Sequence, residues 1–166
     1  KKENYLMSKI SERLTQIQEN IATACDRSGR NVNKVKIVVV TKTVPVESVK
    51  EDIRLGCTDL GENRLQNLKQ IAEEIDLFLQ QPQSKENKLP EKVNWHMIGH
   101  LQRNKAARAA AVFDVIHSVS SVALASTLDG AAQRAGRTVE VLIQVNVAGD
   151  PAKHGLLDPD LPGILG

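Results

Sequence analysis

One lysine lies at a position where its amine could react with a ligand. Lys42 follows a run of four β-branched residues, Ile37 to Val40, and Pro45 comes three positions later. The run is typical of a fully buried strand, and proline is favoured in the first turn of a helix. The sequence therefore predicts Lys42 at the carboxyl end of a strand, next to the start of a helix.

Two roles fit a lysine in that place. The side chain can extend into solvent while its stem covers apolar surface. Alternatively, burial disfavours the charged form and makes the amine a nucleophile that forms a Schiff base with a carbonyl group. Aldolases acting on carbonyl substrates and proteins that hold pyridoxal phosphate (PLP) both use a lysine in this way. The residues of this stretch do not decide between a solvent-exposed lysine, an aldolase lysine and a lysine that holds PLP.

Polar side chains end the other predicted strands as well. In parallel sheets, ligands bind at the carboxyl ends of the strands, so these residues are candidates for one shared site. His96 and His100 are four positions apart, but Gly99 and the predicted strand argue against one helical face, and hence against a zinc site. The candidates, besides Lys42, are Thr41, Glu62, Asn63, His96, His100, His117, Ser118, Gln144 and Asn146.

Strands and helices alternate along the chain. A helix over Asn4–Arg27 is predicted first, from apolar residues at steps of three and four. Five strand–helix repeats follow, which indicates an α/β fold with parallel strands. The predicted strands are Val35–Thr41, Cys57–Asn63, Val93–Gly99, the stretch DVIHSV and Val139–Val147, with a last helix starting near Pro159.

Two ways of closing such a sheet compete. One is a doubly wound open sheet, and the other is a (β/α)8 barrel. No GxGxxG or Walker A motif follows any strand, which weakens the nucleotide-binding open sheet. The barrel normally needs roughly 250 residues, whereas this sequence of 166 residues stops after the fifth strand.

Composition narrows the classes of partner. Lys plus Arg is 22 and Asp plus Glu is 20, so the net charge of +2 gives no reason to expect nucleic acid or an anionic membrane. The two cysteines match no metal-binding spacing, and we expect reduced thiols. The charged N-terminal stretch lacks the apolar segment of a signal peptide. We therefore expect a cytoplasmic protein.

Five stretches together resemble one family. They are VVVTKTVPVESV, DLGENRLQNLKQ, NWHMIGHLQRNK, FDVIHSVSS and VLIQVNVAGDPAKHG, in order between about residues 35 and 156. They resemble the PLP homeostasis proteins, also called the YggS or PROSC family, which are similar to the N-terminal barrel domain of alanine racemase. The resemblance implies a (β/α)8 TIM-type barrel with an extra N-terminal helix. About five of the eight strands are expected in this sequence, so we expect residues 1–166 to be one PLP-binding domain that is incomplete at its C-terminus.

The resemblance also implies a site and a function. Lys42 is expected to hold PLP as a Schiff base, and Asn63, Met97, Ile98 and Ser118 are expected to line the cofactor. Members of the family are usually monomeric and have no well-established catalytic activity. They are thought to carry PLP and to affect the balance of vitamin B6 and amino acids.

The chain departs from the family pattern at its C-terminal end. The Met- and Ser-rich segment and the later Gly–Ser/Thr and Arg segment that hold the cofactor phosphate do not occur in it. A PLP-dependent amino-acid racemase remains an alternative, although racemisation needs an acid or base on each face of the substrate. A Schiff-base aldolase without PLP is the other. We also expect open edges at the first and fifth strands, and therefore weak PLP binding and self-association.

Overall fold

Five strand–helix units follow one long helix. The computed structural model describes residues 2–82, 88–157, 159 and 161. The predicted alternation is confirmed in it. The helices are α1 Lys2–Ser28, α2 Val46–Arg54, α3 Leu65–Leu79, α4 Ala106–Val112 and α5 Val122–Arg134, and the strands are β1 Val39–Val40, β2 Asp59–Glu62, β3 Asn94–Met97, β4 Val115–Val119 and β5 Glu140–Ile143.

The strands form one parallel sheet in chain order, β1-β2-β3-β4-β5. A doubly wound sheet would reverse direction at a switch point, and no reversal occurs in this order. Each connection between neighbouring parallel strands is right-handed as a rule, so the helices collect on one side of the sheet. This is the arrangement of a partial barrel, and it settles the choice between the two closures.

The hydrophobic core lies between the sheet and those helices. Leu60, Trp95 and Ile116 are the strand residues at its centre, and they pack with Ile53, Leu68, Ile75, Phe113 and Leu128. Side chains alternate along a strand, so the neighbours of these strand residues point away from the helices. We call this opposite side of the sheet the inner face. Gly61 lies on it, because a Cβ atom there would meet the side chains of Val38 and Ile98, each at 3.1 Å.

Both outer strands are shorter than predicted. β1 covers Val39–Val40 instead of Val35–Thr41, and β5 covers Glu140–Ile143 instead of Val139–Val147. Among the described residues each of them pairs along one side only, so fewer of their residues are held in a ladder. Beyond β5, Val145 forms a single isolated bridge with Leu156. The helix predicted near Pro159 falls mainly on residues outside the described part.

Helix α1 is the longest element, and it ends at a glycine. Gly29 has a φ of 65°, and the N–H of Arg30 donates to the carbonyl oxygen of Cys25, which closes the helix end. Cys25 is buried, whereas Ile17 is half-exposed. No helix in the described part of the chain is both long enough and apolar enough to cross a membrane.

Candidate functional site

Lys42 lies in a tight turn directly after β1. The N–H of Val44 donates to the carbonyl oxygen of Thr41 at 3.4 Å, so Lys42 and Thr43 form the centre of the turn. Thr43 has a φ of 62°, a conformation that is unfavourable for a β-branched residue. Residues held in such conformations cluster at functional sites. No local pattern in the sequence indicated this strain.

Thr41 anchors that turn to the sheet. It is completely buried, and both its N–H and its hydroxyl donate to the carbonyl oxygen of Gly61, at 2.9 and 3.2 Å. The turn is therefore fixed to β2, and Lys42 is held at the carboxyl edge of the sheet, as predicted.

Of the two environments that the sequence left open for Lys42, the structure shows the exposed one. Its side chain is exposed, and it forms no ion pair with any described residue. The reason is its position beyond β1, an outer strand of the described sheet. The amine is accessible, and the described residues supply neither a competing partner nor an apolar enclosure for it.

Glu62 shapes the turn that carries Asn63. The Glu62 side chain is 1% exposed, and its Oε1 accepts hydrogen bonds from the N–H groups of Asn63 at 2.6 Å and Arg64 at 3.0 Å. Its Oε2 has no partner among the described residues. The side chain of Asn63 is half-buried and likewise has no hydrogen bond to a described residue. Its amide donors and its carbonyl acceptor are therefore available to a ligand.

Met97 and Ile98 point to opposite faces of the sheet. Met97 is buried in the core on the helix side, whereas Ile98 is half-buried and lies over Gly61 on the inner face. The N–H of Ile98 donates to the carbonyl oxygen of Glu62 at 3.1 Å, which fixes it beside the Asn63 turn. Of this pair, Ile98 is the residue whose side chain shares a face with Gly61.

Ser118 lies at an irregularity between β4 and β5. Ile116 pairs with Val141 and Val119 with Ile143, so two residues, His117 and Ser118, stand opposite one residue of β5. Such bulges re-aim side chains and are frequent next to active sites. Ser118 is 4% exposed, and its hydroxyl has no hydrogen-bond partner in the described part of the chain. A buried hydroxyl without a partner is costly, so Ser118 is a candidate ligand contact.

A chain of polar side chains crosses the inner face. Lys36 Nζ lies 3.1 Å from Asp59 Oδ1, which also lies 2.9 Å from His96 Nε2. His96 Nδ1 is in turn 2.8 Å from His117 Nε2. The sequence placed both histidines near the site but did not link them to Lys36 or Asp59. A carboxylate at the start of a predicted strand was the signal that could have suggested the link.

These contacts shift two ionisation equilibria. Burial would raise the pKa of Asp59, but hydrogen bonds from His96, Lys36 and Asn94 outweigh it and hold the pKa below its ordinary value. The pKa of His117 is lowered, first by burial and then by His96 and Lys36. Asp59 therefore carries its charge, and His117 is neutral, at neutral pH.

The remaining rim candidates have mainly structural contacts. His100 stacks on His154 with ring centroids 3.8 Å apart, and burial, followed by His154, lowers the pKa of His100. Gln144 donates to the carbonyl oxygen of His154, and Asn146 donates to that of Asp150. These bonds hold the loop that follows β5. Within the described ranges, no cluster of three or more His, Cys, Asp or Glu residues could hold a metal ion.

Comparison with known proteins identifies the family. The model of the alanine racemase N-terminal domain matches residues 13–165. The chain belongs to this family. Three relatives named "Pyridoxal phosphate homeostasis protein" are similar to it over most of its length: 36% identical in Aquifex aeolicus, 34% in Pseudomonas aeruginosa and 32% in Mycobacterium tuberculosis H37Rv. The match covers 93%, 95% and 95% of this chain, and 62%, 63% and 62% of the respective relative.

Solved structures agree on the fold. PipY of Synechococcus elongatus PCC7942 without PLP is 34% identical, with a TM-score of 0.74, and the same protein with PLP bound is 32% identical, with a TM-score of 0.70. Both matches cover 94% of this chain and 62% of the PipY chain. The chain thus spans less than two thirds of the length of these relatives. The predicted family and its barrel-type fold are confirmed.

Proposed function

We propose that this protein binds PLP through Lys42 and takes part in the intracellular balance of PLP and amino acids, without robust catalysis of its own. The observation that carries the proposal is the accessible amine of Lys42, which pairs with no described residue and lies in a strained turn at the carboxyl edge of the sheet. Relatives named as PLP homeostasis proteins and the PLP-bound structure of PipY support it.

The residues around Lys42 suit that ligand. PLP supplies an aldehyde, to which a lysine amine adds with loss of water. Asn63 offers a neutral donor and acceptor on a turn that Glu62 fixes. Ser118 brings a hydroxyl that no described residue engages, and Ile98 brings apolar surface on the inner face. Met97 was predicted in the same set, but its side chain packs in the core on the opposite face, so we propose that it supports the strand rather than contacts the ligand.

The protein is proposed to hold PLP rather than to turn over a substrate. Racemisation needs an acid or base on each side of the reacting carbon, whereas His96 and Asp59 are bonded to each other. We propose that the complete protein is a cytoplasmic monomer that acts without nucleic acid or membrane. The small net charge and the two free cysteines support this setting.

Borohydride reduction tests the proposal. The protein is incubated with PLP, reduced and digested, and the modified peptide is identified by mass spectrometry. We expect PLP on Lys42, and we expect Lys42→Ala to abolish the adduct while leaving the fold intact, because the side chain has no ion pair to a described residue. Lys69→Ala is the matched control, since Lys69 is an exposed lysine on α3 whose ion pair to Glu73 is long, at 4.0 Å.

Different outcomes point to different functions. PLP found on Lys36, Lys50 or Lys105 instead would refute the assignment of Lys42. An adduct on Lys42 with a carbonyl substrate but none with PLP would favour the aldolase alternative. Exchange of the α-hydrogen of an amino acid by the PLP-loaded protein would favour the racemase alternative.

A further inference from the structure

The polar chain on the inner face connects four parts of the fold. Lys36 precedes β1, and Asp59, His96 and His117 belong to β2, β3 and β4. The three contacts between successive members measure 3.1, 2.9 and 2.8 Å. Asn94 of β3 adds a hydrogen bond to Asp59 at 3.2 Å. His96, in the middle of this chain, is only 2% exposed. Such a connected network fixes the orientation of its members.

The protons of this network can be assigned from its donors and acceptors. Asp59 is ionised and therefore only accepts, so the hydrogen on His96 must be at Nε2. Lys36 already pairs with Asp59, so a further positive charge on the buried ring of His96 would have no counter-ion, and the arrangement that avoids it leaves Nδ1 of His96 as an acceptor. The hydrogen between the two rings must then come from His117 Nε2. A neutral His117 is left with a bare Nδ1.

That nitrogen is available to a ligand. His117 is half-buried, and its Nδ1 bonds to no described residue and is not among the buried atoms that lack a partner. The neighbouring Ser118, in the same irregularity of β4, carries a buried hydroxyl without a partner. Two adjacent residues thus present an unused acceptor and an unused hydroxyl.

We propose that Asp59 and His96 are positioning residues that hold His117 in the Nε2–H tautomer, and that the bare Nδ1 of His117 accepts a hydrogen bond from a ligand bound beside Ser118. The ligand must present a hydrogen-bond donor. The ring of PLP presents one at neutral pH, the proton on its nitrogen, while its ring oxygen is ionised. The identity of the ligand rests on the proposed function above, whereas the tautomer of His117 does not.

Nitrogen NMR of the imidazole rings tests the positioning half without any ligand. In 15N-labelled protein at neutral pH, both His96 and His117 are expected to carry hydrogen on Nε2 and none on Nδ1. Asp59→Asn is expected to convert this single pattern into a mixture of tautomers, because an amide can donate as well as accept. His154→Gln is the control and is expected to leave both rings unchanged. A hydrogen on His117 Nδ1 in the unaltered protein would overturn the proposal.

Two substitutions of His117 test the ligand half. The amide of Asn can replace Nδ1, whereas the amide of Gln can replace Nε2. His117→Gln should therefore keep the link to His96 but lose the acceptor, and His117→Asn should do the reverse. We expect His117→Gln to bind at least about threefold more weakly than His117→Asn, the size expected for one lost hydrogen bond. Equal losses, or no loss in either variant, would show that His117 only supports the fold.

Two probes separate this proposal from the function of Lys42. Affinities are measured with PLP and with pyridoxine 5′-phosphate, which keeps the ring donor but has no aldehyde. The difference between the two His117 variants should appear with both probes, whereas Lys42→Ala should weaken binding of PLP alone. If Lys42→Ala bound PLP normally while the two His117 variants still differed in affinity, the proposed Schiff base alone would be refuted. A difference at His117 confined to PLP would refute the hydrogen bond to the ring. If a His117 variant does not fold, the NMR measurement of the imidazole tautomers in Asp59→Asn is the test of the proposal.

Discussion

Gly99 packs directly against the backbone of Asn63. A Cβ atom on Gly99 would lie 2.5 Å from the carbonyl oxygen of Asn63 and 3.0 Å from its Cα. Those atoms are backbone and cannot turn aside as a flexible side chain could. We expect Gly99→Ala to destabilise the protein by about 1–3 kcal/mol, as overpacking usually does, and to weaken PLP binding by displacing Asn63. Urea unfolding followed by the fluorescence of Trp95, the single and buried tryptophan, measures the first effect.

Gly130→Ala is the matched control for that change. Gly130 lies inside α5, and a Cβ atom there would meet only the end of the flexible Arg134 side chain, at 3.4 Å. Alanine is favoured over glycine inside a helix by roughly 0.5–1 kcal/mol. This variant should therefore be more stable, with unchanged PLP binding. Equal effects of the two substitutions would contradict the close contact at Gly99.

Thr43→Gly should make the protein more stable and its binding weaker. Glycine adopts the observed φ of 62° without the steric cost that threonine bears. After the greater entropy of glycine in the unfolded chain is subtracted, a net gain of about 0.5–1 kcal/mol remains. The turn also becomes freer, so the reaction of Lys42 with PLP should slow. Thr138→Gly, in an exposed loop without a positive φ, should only lose stability.

Acid should weaken the network on the inner face. The pKa of Asp59 is held below its ordinary value of about 3.9 in the folded protein. The unfolded chain therefore binds a proton more readily than the folded one, and stability is lost as the pH falls below about 4 through the lowered pKa. Asp59→Asn should remove this part of the acid sensitivity. Unfolding by urea at a series of pH values between about 2 and 6 measures the slope.

Asp52 should behave in the opposite sense. Burial, and then the nearby charge of Glu51, raise the pKa of Asp52. The folded protein therefore holds the proton more tightly, and the associated stability is lost as the pH rises through the raised pKa. Asp52→Asn should stabilise the protein at neutral pH but not in acid. If Asp52 and Asp59 changed the free energy of unfolding in the same direction with pH, one of the two pKa shifts would be contradicted.

Cys57 should be a slow nucleophile. Burial, and then the charge of Asp52, raise the pKa of its thiol from 9.0 to about 11. Since the thiolate is the reactive form, alkylation near pH 8 should be on the order of a hundredfold slower than for an ordinary exposed thiol. Timed labelling with iodoacetamide and peptide mass spectrometry measures the rate. Asp52→Asn should accelerate it, whereas labelling at the rate of free cysteine would refute the shift.

The outer strands should cause self-association. Val40, Val141 and Leu142 are each 44–48% exposed, and Val147 is 93% exposed beyond β5. Uncovered strand edges with apolar side chains are sites of aggregation. We expect a mass above 18.2 kDa that rises with concentration in sedimentation experiments. Val147→Lys should lower it, whereas Ile17→Lys, on α1, should not. A stable monomer at all concentrations would contradict the expectation.

The sequence predicted the strand ends that carry the site better than it predicted the contacts between the side chains of the site. Local signals, such as the β-branched run before Lys42, are enough to locate a strand and its end, and they placed Lys42 and Asn63 at the correct edge. The link from Asp59 to His96 joins residues 37 positions apart, and it depends on strand register, which no local pattern specifies. The strain at Thr43 and the exposure of Lys42 depend in the same way on which strands surround β1.

The order of the strands has a consequence for how the protein folds. Because each strand pairs with the next one in the chain, contacts across the sheet join residues that are close in sequence. Paired residues are 21 positions apart between β1 and β2, 19 between β3 and β4, and 24 or 25 between β4 and β5, but 35 between β2 and β3. Short loops close at a lower entropic cost, and low contact order accelerates folding. The sheet can therefore grow one unit at a time as the chain leaves the ribosome, with the junction of β2 and β3 as its slowest step.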